Sequence, residues 1–109
     1  MPRIEIISRP RQSGRTTELI EKCSKYKYAL IVCPTAKQAE YVFQMACKAG
    51  KDIPFPITFR QFVNGSFYTP VVEAFLIDNL DGCLYTCSRG VLIDTVVFES
   101  QTEEDELSI

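Results

Sequence analysis

The chain has 109 residues, 46% of them hydrophobic and 24% charged, with 12 Lys and Arg against 14 Asp and Glu. These proportions describe one ordinary globular domain and exclude a second of normal size. A chain this long buries roughly two-thirds of its unfolded surface and folds without staples, while its apolar runs are far shorter than the ~20 residues that cross a bilayer.

Residues 3–8 alternate and are rich in isoleucine (Ile4, Ile6, Ile7), which predicts a first strand. Pro10 and Gly14 end it, so residues 9–14 form a loop. From Arg15 to Tyr26, the residues Leu19, Ile20, Cys23 and Tyr26 recur at helical spacing, with Glu18 and Glu21 early and Lys22, Lys25 and Lys27 late, as a helix dipole favours. Residues 28–33 are a continuous apolar run closed by Pro34, the pattern of a strand covered on both faces. Thr35 caps a second helix over residues 36–49, striped by Ala36, Ala39, Val42, Phe43 and Ala46 and ended by Gly50. Residues 53–59 read as a proline-flanked short strand and residues 59–63 as a helical turn stopping at Asn64 and Gly65. A buried strand over 72–78, a short helix over 80–87, a turn at Arg89 and Gly90 and a last strand over 91–99 complete the series.

Strands alternating with helices predict an α/β fold: a single three-layer domain over residues 1–99, with a mainly parallel sheet of four to five strands and helices on both faces. Residues 100–109 form an acidic tail expected to be disordered. An exposed edge in so small a sheet makes a homodimer an expectation. Residues 1–5 carry no signal-peptide pattern, and a cytoplasmic location without membrane contact is expected.

Charge is divided along the chain. Residues 1–60 hold 11 basic and 5 acidic groups, whereas residues 61–109 hold only Arg89 against 9 acidic groups. The basic half suits phosphates or nucleic acid, with Tyr26 and Tyr28 interleaved among Lys22, Lys25 and Lys27 as single-strand binders interleave rings and cations. Solvation of two sides of one domain accounts for the division equally well. Five cysteines without a Cys-x-x-Cys pair, in a chain without histidine, argue against a zinc centre. Cys23, Cys33 and Cys47 are expected as small buried thiols, and Cys83 with Cys87 is one ligand pair only.

The chemistry concentrates after the first strand. A loop written G-x-x-x-x-G-K-[ST] between a strand and a helix cradles phosphates: its glycines let N–H groups close around them, its lysine reaches the outer ones and its hydroxyl holds magnesium. Here Gly14, Thr16 and the strand-to-helix context match, while Arg9 stands at the first glycine and Arg15 at the lysine. Arginine keeps the charge but spreads it over a wide fork. Downstream, Ala74, Phe75, Leu76, Ile77 and Asp78 form an apolar strand ending in a carboxylate, the Walker B pattern whose aspartate holds magnesium.

These two segments, in this order, resemble the P-loop NTPase superfamily, particularly small phage-type ATPase-like proteins and the first RecA-like core of helicases, over residues 3–98. The resemblance implies that Ser13, Gly14, Arg15, Thr16 and Thr17 bind ATP or GTP and that Thr16 and Asp78 hold the accompanying Mg²⁺. Residues 57–62 look like a segment that precedes Walker B in helicase-like ATPases. The glutamate that activates water in those relatives is replaced by Asn79, which leaves Asp81 as the candidate base. Arg60 and Arg89 are candidates to act in trans.

Three functions follow. The first is a nucleotide-binding protein with weak or no hydrolysis, which requires Gly14, Thr16 and Asp78 to converge. The second is a non-enzymatic interaction protein on a degenerate P-loop scaffold, such as a phage-encoded inhibitor or adaptor of a host protein, using the aromatic segment 55–68 (Phe55, Phe59, Phe62, Phe67, Tyr68) or the tail. The third is a nucleic-acid accessory factor using the basic half.

Overall fold

Five consecutive apolar residues organise the molecule. In the computed structural model, which describes residues 4–8, 10, 14–67, 69–97 and 99, Ala29–Cys33 forms strand β1 and every one of its residues is buried. It lies at the centre of a three-stranded parallel sheet, between β2 (Ile57–Thr58) and β3 (Ala74–Ile77). Leu30 pairs with Phe75 and Val32 with Ile77 on one side, and Val32 pairs with Ile57 on the other.

Side chains alternate across a strand, so β1 must be covered on both faces. Ala29, Ile31 and Cys33 join Ile20 and Cys23 of helix α1 (Arg15–Ser24) and Ala39, Val42 and Ala46 of helix α2 (Ala36–Lys48) in the main core, with Ala74 and Leu76 packed against it. The opposite face carries Phe75 of β3. Its ring meets Phe62 of the short helix α3 (Phe59–Asn64) and Phe67, both edge-on with centroids 4.9 Å apart. Such aromatic pairs contribute about 0.5–1.5 kcal/mol each beyond area burial. A 3₁₀ turn (Thr69–Val71) leads into β3, and helix α4 (Leu80–Ser88) follows it.

Local chemistry sets the element ends. The Thr35 hydroxyl accepts from the Gln38 N–H at 3.2 Å and caps α2. Thr58 and Gln61 form a reciprocal capping box at the start of α3, so the expected turn at 59–63 is a capped helix closed by Gly65. Helix α1 ends two residues before Tyr26, where Lys25 and Tyr26 donate to Lys22 and Cys23 carbonyls at 3.2 Å.

The α/β class and the parallel sheet agree with the expectation, but among the described residues the sheet has three strands rather than four or five. Residues 4–8 make no ladder, and Ile4 and Ile6 are 71% and 65% exposed. The Glu5 carboxylate instead pairs with Lys22 at 2.6 Å, holding this segment against α1. Residues 91–97 make no ladder either. Arg89 and Gly90 both take left-handed backbone angles, turning the chain after α4, and Val91, Leu92, Val96 and Val97 stay exposed. Strand propensity without a paired neighbour does not make a strand. Cys47, expected inside, is exposed because it lies off the α2 stripe formed by Ala39, Val42 and Ala46. The acidic tail expected at 100–109 and the loop residues 9 and 11–13, including Ser13, lie outside the described residues.

Truncating the central strand tests this layering. Ile31→Ala is expected to lower unfolding free energy by about 2–5 kcal/mol in urea titration, whereas Val63→Ala, on the exposed side of α3, stays within about 0.5 kcal/mol.

Candidate functional site

The carboxyl ends of β1 and β3 mark the place where the chain diverges. From β1 it passes through α2 to β2 on one side, and from β2 it returns through α3 to β3 on the other. In open parallel sheets this reversal leaves a crevice outside the strand ends, where ligands bind. Asp78 stands at these strand ends, the first residue after β3, anchored by its N–H donating to the Val32 carbonyl at 2.8 Å.

Helix α1 brings its N-terminus to the same point. Gly14 takes φ 83°, a left-handed angle that glycine adopts without strain, and its carbonyl accepts the Glu18 N–H at 3.0 Å to start the helix. A Cβ at Gly14 would meet nothing within 4 Å, so the backbone angle, and not crowding, calls for glycine here. Gly14, the N-cap, has no side chain to cap α1, and the first-turn N–H groups have no intrahelical acceptors. The Thr16 hydroxyl donates to Asp78 Oδ2 at 3.4 Å across 62 positions of sequence. Gly14, Arg15, Thr16 and Thr17 line one shallow pocket of about 160 Å³ together with Tyr41 and Met45 of α2.

Burial dominates the electrostatics. It raises the Asp78 carboxyl above its ordinary value, opposed by the Thr16 hydrogen bond and the nearby Arg15 charge. Burial also pushes the Cys33 thiol up to about 12 and the Cys83 thiol up to about 11, with the Asp78 charge adding to both. These thiols form an apolar floor under the carboxylate and supply no nucleophile. Cys83 is buried and Cys87 exposed, four apart on α4. Among the described residues no group of three or more potential protein ligands could hold a metal by itself.

Of the predicted site residues, Gly14, Arg15, Thr16 and Thr17 line the pocket, and Asp78 joins them through the Thr16 hydroxyl and the nearby Arg15 charge without lining it; Asp81 makes no hydrogen bond to them among the described residues. Asp81 is exposed on the first turn of α4. Asn79, at the position of the expected glutamate, is committed to structure: it has φ 56° and its side chain accepts the Gly82 N–H at 3.1 Å to cap α4. Left-handed angles at non-glycine positions favour asparagine. Arg60 and Arg89 are both exposed, Arg60 in α3 just past the carboxyl end of β2 and Arg89 at the far end of α4, and neither makes a hydrogen bond to Asp78 among the described residues. Within the aromatic segment, Phe62 and Phe67 are engaged with Phe75, and Phe55 packs on Phe43 at 5.0 Å while remaining half-exposed. Tyr68 lies outside the described residues. Sequence reasoning missed Tyr41 and Met45. Their signal was present as an apolar pair four apart, off the buried stripe of α2.

Compared with protein-family models, curated proteins and solved structures, the chain finds no match. Among the described residues no helix is long and apolar enough to cross a membrane.

Two outcomes follow from the buried charge. A carboxyl raised in the folded state binds its proton more tightly there, so its favourable contribution is complete below the unfolded value of about 4 and disappears as pH rises through the folded value. Asp78→Asn is therefore expected to raise the melting temperature near pH 7 and to lose that advantage below about pH 4 in thermal scans. Alkylation of the native protein at about pH 8 should modify Cys47 and Cys87 and spare Cys23, Cys33 and Cys83, with denaturant exposing all five, as read by intact mass.

Proposed function

We propose that this protein binds a nucleoside triphosphate, ATP or GTP, with Mg²⁺ and hydrolyses it weakly or not at all. The observation that carries the proposal is the meeting of Thr16 and Asp78 at the strand ends, with Arg15 close enough to bias the carboxylate. A helix N-terminus offers unpaired N–H donors and a positive dipole end to phosphate oxygens, and Arg15 adds a full charge beside them.

The donor set suits magnesium. A hydroxyl and a carboxylate are hard oxygen ligands, and Mg²⁺ takes few protein ligands when phosphates and water supply the rest. Thr16 and Asp78 would hold the ion, which would neutralise phosphate charge.

Slow hydrolysis follows from two side chains. Arg15 replaces the compact ammonium of a lysine with a planar fork that favours paired contacts over a single point of charge. Asn79 carries no base and already serves α4.

A thermal-shift titration of the full chain with ATP, ADP and GTP, each with and without Mg²⁺, tests the function. Ligand at 100 times its dissociation constant adds about 2.7 kcal/mol. The expected result is a magnesium-dependent rise that Arg15→Ala removes and Arg15→Lys retains. Absence of any shift at millimolar nucleotide overturns the proposal.

A further inference from the structure

We infer that Tyr41, backed by Met45, forms the subsite for the nucleobase and that this subsite accepts adenine and guanine with little preference, an inference that rests on the nucleotide-binding function proposed above. Helices α1 and α2 pack side by side over the same face of β1, through Ile20 and Cys23 from one and Ala39, Val42 and Ala46 from the other. Residues 41 and 45 are one helical turn apart, so they stand on a common stripe beside the buried one. That stripe and the first turn of α1 are the two walls of one pocket.

Among the described residues no hydrogen bond or ring contact engages the Tyr41 side chain. It is 64% exposed, while Met45 next to it is partly buried against the core. The ring is thus free to take a flat ligand, and its support is a polarizable thioether that fits irregular contacts. The pocket is continuous from Gly14, Arg15, Thr16 and Thr17 to Tyr41. A ligand with an anionic group at the α1 N-terminus and an aromatic ring at its other end matches both walls, which is the chemistry of a nucleotide. At about 160 Å³ the pocket accommodates part of such a ligand, leaving the remainder in the crevice or in solvent.

The lack of base preference comes from the lining. Reading a base edge takes groups that pair with its donors and acceptors, typically amides, carboxylates or paired guanidinium contacts. Among the described residues at this pocket the polar side chains are Arg15, Thr16, Thr17 and the Tyr41 hydroxyl, and the first three belong to the phosphate end. What remains for the base is a ring face, and every base has a π-face to stack on it.

Titration calorimetry of the full chain with Mg²⁺ and ATP, GTP or inorganic triphosphate, on wild type, Tyr41→Ala and Tyr41→Phe, decides the matter. Because Tyr41 is exposed, both variants are expected to keep the wild-type melting temperature. Tyr41→Ala should weaken ATP and GTP alike by about five- to a hundredfold, leave inorganic triphosphate unchanged, and be rescued by Tyr41→Phe. Equal binding of ATP by wild type and Tyr41→Ala, or wild-type ATP binding no tighter than inorganic triphosphate, overturns the base subsite while the phosphate site stands. A wild-type preference of more than about tenfold between ATP and GTP overturns the tolerance. If wild type binds neither nucleotide nor inorganic triphosphate, the nucleotide-binding function fails and the subsite with it.

Discussion

Covering β1 on both faces is the constraint from which the rest follows. Five buried residues in succession leave no solvent-facing side, so helices must lie above and below. With right-handed crossovers the rule for parallel strands, placing α2 on one face and α3 on the other sends the chain in opposite directions from the strand ends. Asp78 lies at the carboxyl edge of the sheet because it is the first residue beyond a strand registered against β1 by four pairs. A one-residue slip of β3 would turn Phe75 away from Phe62 and Phe67 and reverse the direction of the neighbouring side chains. The aromatic cluster on the far face therefore also sets where the carboxylate lies.

The crevice is kept at some cost in stability. A half-buried carboxylate over two buried thiols raises the proton affinity of Asp78, and one hydrogen bond from Thr16 with the Arg15 charge offsets only part of that burial. An apolar or amide side chain would be easier to accommodate. Groups held in unfavourable ionisation states often mark sites that act on ligands. The same residue is useful only if something charged meets it there. The neighbouring thiols, by contrast, are held neutral by the same burial and belong to the packing.

The end of β3 also shows how structure can displace chemistry. Asn79 follows Asp78 directly, but its left-handed backbone and its bond to the Gly82 N–H tie it to the start of α4. An added Cβ at Gly82 would sit 2.5 Å from the Asn79 side chain and 3.1 Å from Pro34 at the end of β1. Strand, turn and helix start thus interlock around one asparagine. This close packing fixes the end of β3 and the start of α4 against the end of β1.

The sequence by itself determined the elements whose cause is local or periodic. The continuous apolar run of β1, the stripe of α2 with its Thr35 cap, the helix beginning after Gly14 and the carboxylate closing β3 were all legible, because spacing and capping act within a few residues. The candidate site was legible to the same extent: residues 14–17 and Asp78 carry their own pattern. Only the tertiary structure decided which strand-like segments pair. Residues 4–8 and 91–97 are richer in isoleucine and valine than β1 or β3, yet no ladder forms, since β-structure depends on a neighbour that sequence spacing does not specify. Tertiary structure alone also brought Tyr41 to the first turn of α1. That approach depends on how two helices lie over one sheet face, a relation between distant segments that no local pattern encodes.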